Sequence, residues 1–213
     1  VIGDGIPGIE RVPDAWLVKE EVDVWVFPDC TYAGEQVELV SQGRAVWGSR
    51  RAINLENDRE KFLKVLADVG LEVPEHNVVV GVTALREFLR GQEDCYIKIS
   101  NYRGSFETCH WRSWELDENL IDLWAVNFGA VREMVRFIVL PAIDTKLEIG
   151  GDTYNVGGEW PSLMLHGIES KDTAYFSAVT ERSAMPEQVI AVNEAFAPIL
   201  KKHGYANEWS VEI

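Results

Sequence analysis

The 213-residue chain holds 35 acidic against 20 basic residues, a formal net charge of −15, with 46% apolar and 26% charged residues. That balance is ordinary for a globular protein and excludes the basic footprint of a nucleic-acid binder, though a few local cations can still converge on a small anion. Cys30, Cys95 and Cys109 are odd in number and widely spaced, which reads as free thiols of a reducing compartment, and no apolar run approaches the roughly 18 residues of a membrane span. No signal peptide is visible, and the chain starts at Val1 and stops inside an apparent strand at Ile213, as expected of a fragment.

In chain order, the turn-rich Gly3–Gly8 segment precedes an apolar run, Val22 to Asp29, that reads as a buried strand ending at Pro28. Glu35 to Gln42 has a helical face of Val37, Leu39 and Val40, stopped by Gly43, and Ala45 to Gly48 is a further short strand. Strand, helix and strand suggest the tail of an α/β unit with parallel strands. A longer helix then carries Phe62, Val65, Leu66 and Val69, with Asn54 or Asn57 as its cap and Gly70 as its stop. Asn77 to Val82 is a β-branched strand, and Thr83 is expected to cap a helix ending at Gly91.

Cys95 to Ser100 comes next, a short aromatic and β-branched strand with Lys98 in its middle. A lysine on an apolar strand is either an outward residue on a solvated face or one that meets an anion such as phosphate. Glu107 to Trp114 reads as its hairpin partner, and Asp117 as the cap of a helix running past Phe128. Arg136 to Ile143 is an apolar strand that must end or turn at Pro141. Leu147–Val156, Leu163–Ser170 and Thr173–Thr180 look antiparallel. A last helix from Pro186 to Gly204, kinked at Pro198, leads into a strand over Glu208–Ile213.

This order of elements, with its residues, resembles the ATP-grasp superfamily, on the amine-ligase side that includes phosphoribosylamine–glycine ligase. The likeness rests on Gly43-Arg44-Ala45-Val46-Trp47-Gly48 with Leu55 to Arg59, on Gly70 to Pro74, on Tyr96-Ile97-Lys98, and on Leu200 to Tyr205 before Ser210-Val211-Glu212-Ile213. It implies an α+β fold, two subdomains clasping a nucleotide behind part of an α/β domain. The expected divisions are 1–54, 55–135 and 136–213. It implies ATP and Mg²⁺ as cofactors, small-molecule carboxylate and amine substrates, and a cytoplasmic enzyme, with a homodimer as the assembly common to such ligases. The implied reaction forms a C–N bond by way of an acyl phosphate.

Carried over by residue, the resemblance makes Lys98 the contact to the α- and β-phosphates. Arg59 is a second phosphate contact, with Lys61 as its rival. Val139, Leu140, Pro141 and Ala142 form the hinge that meets adenine, Glu148 holds the ribose or faces substrate, and Glu212 is a metal ligand. Arg103 stands in for a glycine-rich phosphate loop, because Ser100 to Ser105 offers only Gly104; a guanidinium fork grips phosphate well. The family's second metal ligand lies on a strand after Glu212. The alternatives are a non-catalytic or truncated ATP-binding module and an ATP-grasp kinase of small molecules. Cys109-His110 beside Cys95 matches no zinc spacing, and no Gly-x-Ser-x-Gly or P-loop signature appears.

Overall fold

The computed structural model describes residues 6–27, 32–101, 107–144, 147–170 and 174–213. At the N-terminal end β1 (Val24–Val26), α1 (Ala33–Ser41) and β2 (Ala45–Trp47) form the expected parallel strand–helix–strand unit, with Trp25 opposite Val46. A short helix α2 (Ile53–Asn57) leads to α3 (Arg59–Asp68). The cap of α3 is Asp58, whose carboxylate accepts the Lys61 N–H at 3.1 Å, and not Asn54 or Asn57, which lie inside α2.

Strands β3 (Asn77–Val80), β4 (Cys95–Ile99), β5 (Thr108–Trp111) and β6 (Arg136–Pro141) form an antiparallel sheet in the order β3-β6-β4-β5. The Lys98 strand therefore has β5 on one side, as the hairpin reading requires, and the Pro141 strand on the other. Helices α4 (Val82–Leu89) and α5 (Trp114–Phe128) cover one face. Along β4 the buried residues are Cys95, Ile97 and Ile99, which pack with Leu85, Trp124 and Phe137. Tyr96 and Lys98 fall on the opposite face by the period of two.

Two helix starts differ from expectation. Helix α4 begins at Val82 after Gly81, and the Thr83 N–H and hydroxyl instead donate to the Glu133 carboxylate at 3.2 and 2.8 Å. A distant acceptor thus satisfies the first turn where a local cap was expected. Gly81 has φ +90°, and a Cβ there would lie 2.7 Å from a Glu133 oxygen, so the approach requires glycine. Helix α5 starts at Trp114 behind Ser113, and Asp117 sits inside its first turn, accepting the Arg112 N–H at 2.7 Å and its guanidinium.

A second antiparallel sheet contains β7 (Glu148–Val156), β8 (Leu163–Ser170), β9 (Ala174–Glu181) and β10 (Ala206–Glu212) in the order β10-β7-β8-β9. One face is packed by α6 (Glu187–His203), which runs as a single helix through Pro198 and closes at Gly204, φ +62°. Phe196 and Leu200 on α6 meet Trp209 on β10 and Phe62 on α3, so α6 joins this sheet to the preceding helices. Gly48 and Ala206 exchange backbone hydrogen bonds of 2.6 and 3.2 Å, tying the N-terminal unit to the start of β10.

Burial sets the expected cost of perturbing this frame. Ile97→Ala removes a fully buried side chain and should cost about 2–5 kcal/mol in urea unfolding, whereas Val126→Ala on the exposed side of α5 should stay within about 0.5 kcal/mol.

Candidate functional site

Because each four-stranded sheet packs helices against one face, the other face of each is free to carry polar groups. On the first sheet the register places Tyr96 and Lys98 beside Leu140 and Ile138 of β6 and beside His110 and Thr108 of β5. Lys98 is half-buried there. Helix α3 crosses one end of this face. Glu60 on α3 forms a two-pronged pair with the Arg136 guanidinium, one contact at 2.7 Å, and the Arg59 N–H donates to the Ser100 carbonyl at 3.3 Å. The Arg59 guanidinium lies 3.4 Å from Glu107. Of the two rival cations on α3, Lys61 is the more exposed and pairs back with Asp58 at 2.7 Å.

Backbone hydrogen bonds define the end of β6. Ser100 donates to the Arg136 carbonyl and Ala142 to the Asp94 carbonyl, both at 2.9 Å, so the even-numbered residues of β6 bond to β4 and the odd-numbered ones turn toward β3. Val139 is buried, with Asn77 opposite on β3. Pro141 comes two residues later, beyond the first residue of β3. A proline there gives up no ladder bond, which is why the strand tolerates it, and its carbonyl faces the sheet edge.

On the second sheet the face away from α6 carries Glu148, Gly150 and Asp152 from β7, Gly167 and Glu169 from β8, Tyr175 from β9, and Ser210 and Glu212 from β10. Asp152 is the centre of this group. Its carboxylate accepts from the Ser210 hydroxyl at 2.6 Å and the Tyr175 hydroxyl at 3.2 Å. Gly167 makes that reach possible, since a Cβ there would stand 2.7 Å from the Tyr175 oxygen. Burial, and then the Asp152 charge, push the Tyr175 phenol above its ordinary range, so it stays a hydrogen-bond donor. Gly150 is flanked by Glu148 and Asp152 and lies opposite Glu212.

A cleft of about 1570 Å³ follows β10 and the seam between α3 and α6, with Phe62, Leu66, Val192 and Phe196 in its lining. Arg59 and Asn101 line it from the first sheet's side, and Asp152, Ser210 and Glu212 from the second. Lys98, Val139, Leu140, Pro141, Ala142 and Glu148 are not among its lining residues, and Arg103 lies outside the described residues. Sequence reasoning missed Asp152, Ser210 and Tyr175. Ser210 was accessible in principle, because Glu208-Trp209-Ser210-Val211-Glu212 alternates and puts Ser210 on the face of Glu212. Asp152 and Tyr175 emerge only from the strand register.

Asp152 and Glu212 are hard oxygen donors on adjacent strands, a donor set that fits magnesium. Among the described residues no group of three or more His, Cys, Asp or Glu could hold a metal alone. That accords with an ion that takes one or two carboxylates and completes its shell with phosphate and water. Cys95 and Cys109 are free thiols; burial pushes Cys95 up to about 11, so it stays protonated and inert.

No protein-family model matches the sequence, and no curated protein does. Solved structures do match. A RimK domain ATP-grasp protein from Sphaerobacter thermophilus DSM 20745 superposes with a TM-score of 0.61 at 18% identity, over 89% of this chain and 67% of its own. D-alanine–D-alanine ligase from Bacillus anthracis, complexed with ATP, gives 0.58 at 16% identity, over 94% and 68%. The biotin carboxylase domain of the Hydrogenobacter thermophilus 2-oxoglutarate carboxylase, solved with MgADP and bicarbonate, gives 0.62 at 14% identity, over 92% and 46%. The chain has the ATP-grasp fold. It is α+β, as the order of elements implies, and it spans between 46% and 68% of the lengths of these three proteins.

Two features of this ATP-grasp chain lend themselves to direct test. The Arg136 hydrogen bonds hold the Glu60 carboxyl below its ordinary range, with burial opposing in part. Stability from such a group is present above the ordinary carboxylate range and is lost as the pH falls through the folded value. Glu60→Gln should therefore be less stable than the parent at pH 7 and converge with it in acid, as the pH falls through the lowered Glu60 value, as followed by thermal unfolding across pH. Gly150→Ala would bring a Cβ to 2.7 Å from the Val211 carbonyl oxygen and should cost about 1–3 kcal/mol in urea unfolding.

Proposed function

We propose that this chain is the nucleotide-holding part of an ATP-dependent ligase that joins a carboxylate to an amine through an acyl phosphate, of the phosphoribosylamine–glycine ligase kind. The observation that carries the reading is a cleft whose lining includes Arg59, its guanidinium 3.4 Å from Glu107, and Asn101 together with Asp152, Ser210 and Glu212. A triphosphate needs cations on one side and carboxylates that share a divalent ion with it on the other. In this reading residues 1–54 are part of a preceding α/β domain, and 55–135 and 136–213 are the two halves around the nucleotide.

Lys98 then contacts the α- and β-phosphates and Arg59 and Arg103 the outer phosphates, the hinge from Val139 to Ala142 meets the base, and Glu148 meets the ribose. Asp152 and Glu212 would hold magnesium, which would supply positive charge to offset that of the phosphates. Ser210 and Tyr175 fix the Asp152 carboxylate by hydrogen bonds and so orient it before the nucleotide arrives.

The substrate carboxylate attacks the γ-phosphorus and ADP leaves. The amine nitrogen then attacks the acyl carbon, phosphate departs with one original carboxylate oxygen, and the amine gives its proton to solvent. The substrates are small molecules, and the enzyme is a cytoplasmic homodimer that binds neither nucleic acid nor membrane. Among the described residues no helix is long and apolar enough to cross a bilayer.

Titration calorimetry with Mg·ATP tests this. The parent chain should bind weakly but measurably, and Lys98→Ala should weaken binding about tenfold or more, the scale of a lost charged hydrogen bond. Equal binding by both would make Lys98 a structural lysine and overturn the assignment.

A further inference from the structure

The outer strands of a sheet carry a row of backbone groups with no neighbour, and this chain treats its outer strands unequally. Those of the first sheet, β3 and β5, have four residues each. On the second sheet β10 is charged at Glu208 and Glu212 and held at Ala206 by Gly48. Strand β9, at the other side of that sheet, has eight residues, and from Ala174 to Thr180 none is charged and none is proline or glycine. Tyr175, Phe176 and Val179 are 59%, 64% and 68% exposed, the first and last on one face and Phe176 on the other. An uncharged, β-prone run of this kind is a template for a further strand.

Register fixes which groups are open. The Arg182 N–H donates to the Ser162 carbonyl at 2.8 Å, so by alternation the even-numbered residues of β9 bond to β8. Tyr175, Ser177 and Val179 therefore turn their N–H and C=O groups outward. An antiparallel copy of the same strand meets these groups when Ser177 pairs with Ser177 of the second copy. Tyr175 then stands opposite Val179 of that copy, and Phe176 opposite its Ala178. Aromatic meets β-branched on one face and large meets small on the other, pairs that stabilise a sheet.

Charge argues for a second copy as the occupant. At −15, two chains repel one another over most approaches. Behind β9 the paired residues of β8, Met164 to Ile168, also lack any carboxylate, ammonium or guanidinium. The result is an uncharged strip two strands deep, where two acidic chains can meet and where a basic partner finds no carboxylate to pair with. The aromatic rings, the valine and the strand backbone bury on the order of 1,000 Å² in total, the size of a weak, reversible interface.

We propose that β9 pairs antiparallel with β9 of a second copy about a two-fold axis at Ser177, joining the two second sheets into one of eight strands. The pairing uses up the β9 edge of both copies, so this contact closes at the dimer. It gives the homodimer of the ligase reading its interface and rests on that assembly alone, not on the nucleotide assignments. Tyr175, whose hydroxyl donates to Asp152 at 3.2 Å, thereby gains backbone partners on its open side.

Sedimentation velocity of the parent chain from about 1 µM to about 1 mM spans the range of a weak interface. The parent should pass reversibly from monomer to dimer. Ser177→Lys sets two like charges directly opposite at the axis and should stay monomeric, although it lowers the net charge of the chain. Ser177→Cys places its two thiols across a hydrogen-bonded pair, with Cα atoms about 5.5 Å apart, and should form a covalent dimer under mild oxidation. Thr180→Cys, three residues from the axis, sets its Cα atoms about 20 Å apart and should not. The parent treated alike controls for its own three cysteines, and thermal unfolding of each variant checks the fold. A parent that is monomeric throughout, a Ser177→Lys variant that dimerises like the parent, growth beyond the dimer, or equal crosslinking of the two cysteine variants would overturn the interface. Mg·ATP binding by a monomeric parent would overturn it and leave the nucleotide reading standing, whereas a dimer that binds no Mg·ATP would support it and overturn that reading.

Discussion

The constraint on which this molecule depends is that each of its four-stranded sheets packs helices against one face. A strand in such a sheet sends every second side chain into the core and has no such demand on the others. On β4 this rule assigns Cys95, Ile97 and Ile99 to packing and releases Tyr96 and Lys98. On β10 it assigns Trp209 and Val211 to α6 and releases Ser210 and Glu212. A one-residue slip in either strand would exchange the sets, burying a lysine or a carboxylate among aromatic rings. Core packing therefore fixes the placement of the polar groups, which needs no separate device.

Charge is the second organising feature. A chain with a net charge of −15 must concentrate its cations if it is to hold a polyanion. Arg136 does not serve that end, because Glu60 matches it with a two-pronged pair and the two together fix α3 across the first sheet. Asp58 spends its carboxylate on the start of α3 and on Lys61. With that helix held in place, Arg59 lines the cleft that Asp152 and Glu212 also line, its guanidinium 3.4 Å from Glu107. Asp152 is steadied by two hydroxyl donors instead of by a base.

The sequence revealed the strands better than the helix starts. Aromatic, β-branched and apolar runs located β4 and β6, and Pro141 marked the strand end because a missing N–H has few tolerable positions in a ladder. The caps were harder, since several side-chain oxygens precede each helix and any of them fits a local rule. Asp58 displaced Asn54 and Asn57 once α2 took both into a helix, and Glu133, fifty residues from Thr83, did the work expected of the threonine. The site divides along the same line. Lys98 and Glu212 stand out within their own strands. Asp152 lies within the strand read over Leu147–Val156, but only the β7–β10 and β7–β8 registers place it between Ser210 and Leu165. Tyr175 stands out only when Gly167 is seen to clear its path.

Strand β10 also faces the difficulty of every edge strand, a row of backbone groups open to unwanted pairing. Ile149 and Ile213 exchange both hydrogen bonds, so the odd-numbered residues of β10 bond to β7 and the even-numbered ones face outward. Gly48 occupies the outward groups of Ala206, and the Tyr205 hydroxyl takes the carbonyl of Glu208. What remains is the short outward stretch around Ser210 and Glu212. Charged side chains at Glu208 and Glu212 discourage pairing there in the way edge charges generally do. Glu212 thus has a physical reason to be a carboxylate apart from any metal. Its place on a strand held firmly along one side and charged along the other is also what a ligand for a hard cation requires: a rigid backbone and an accessible oxygen.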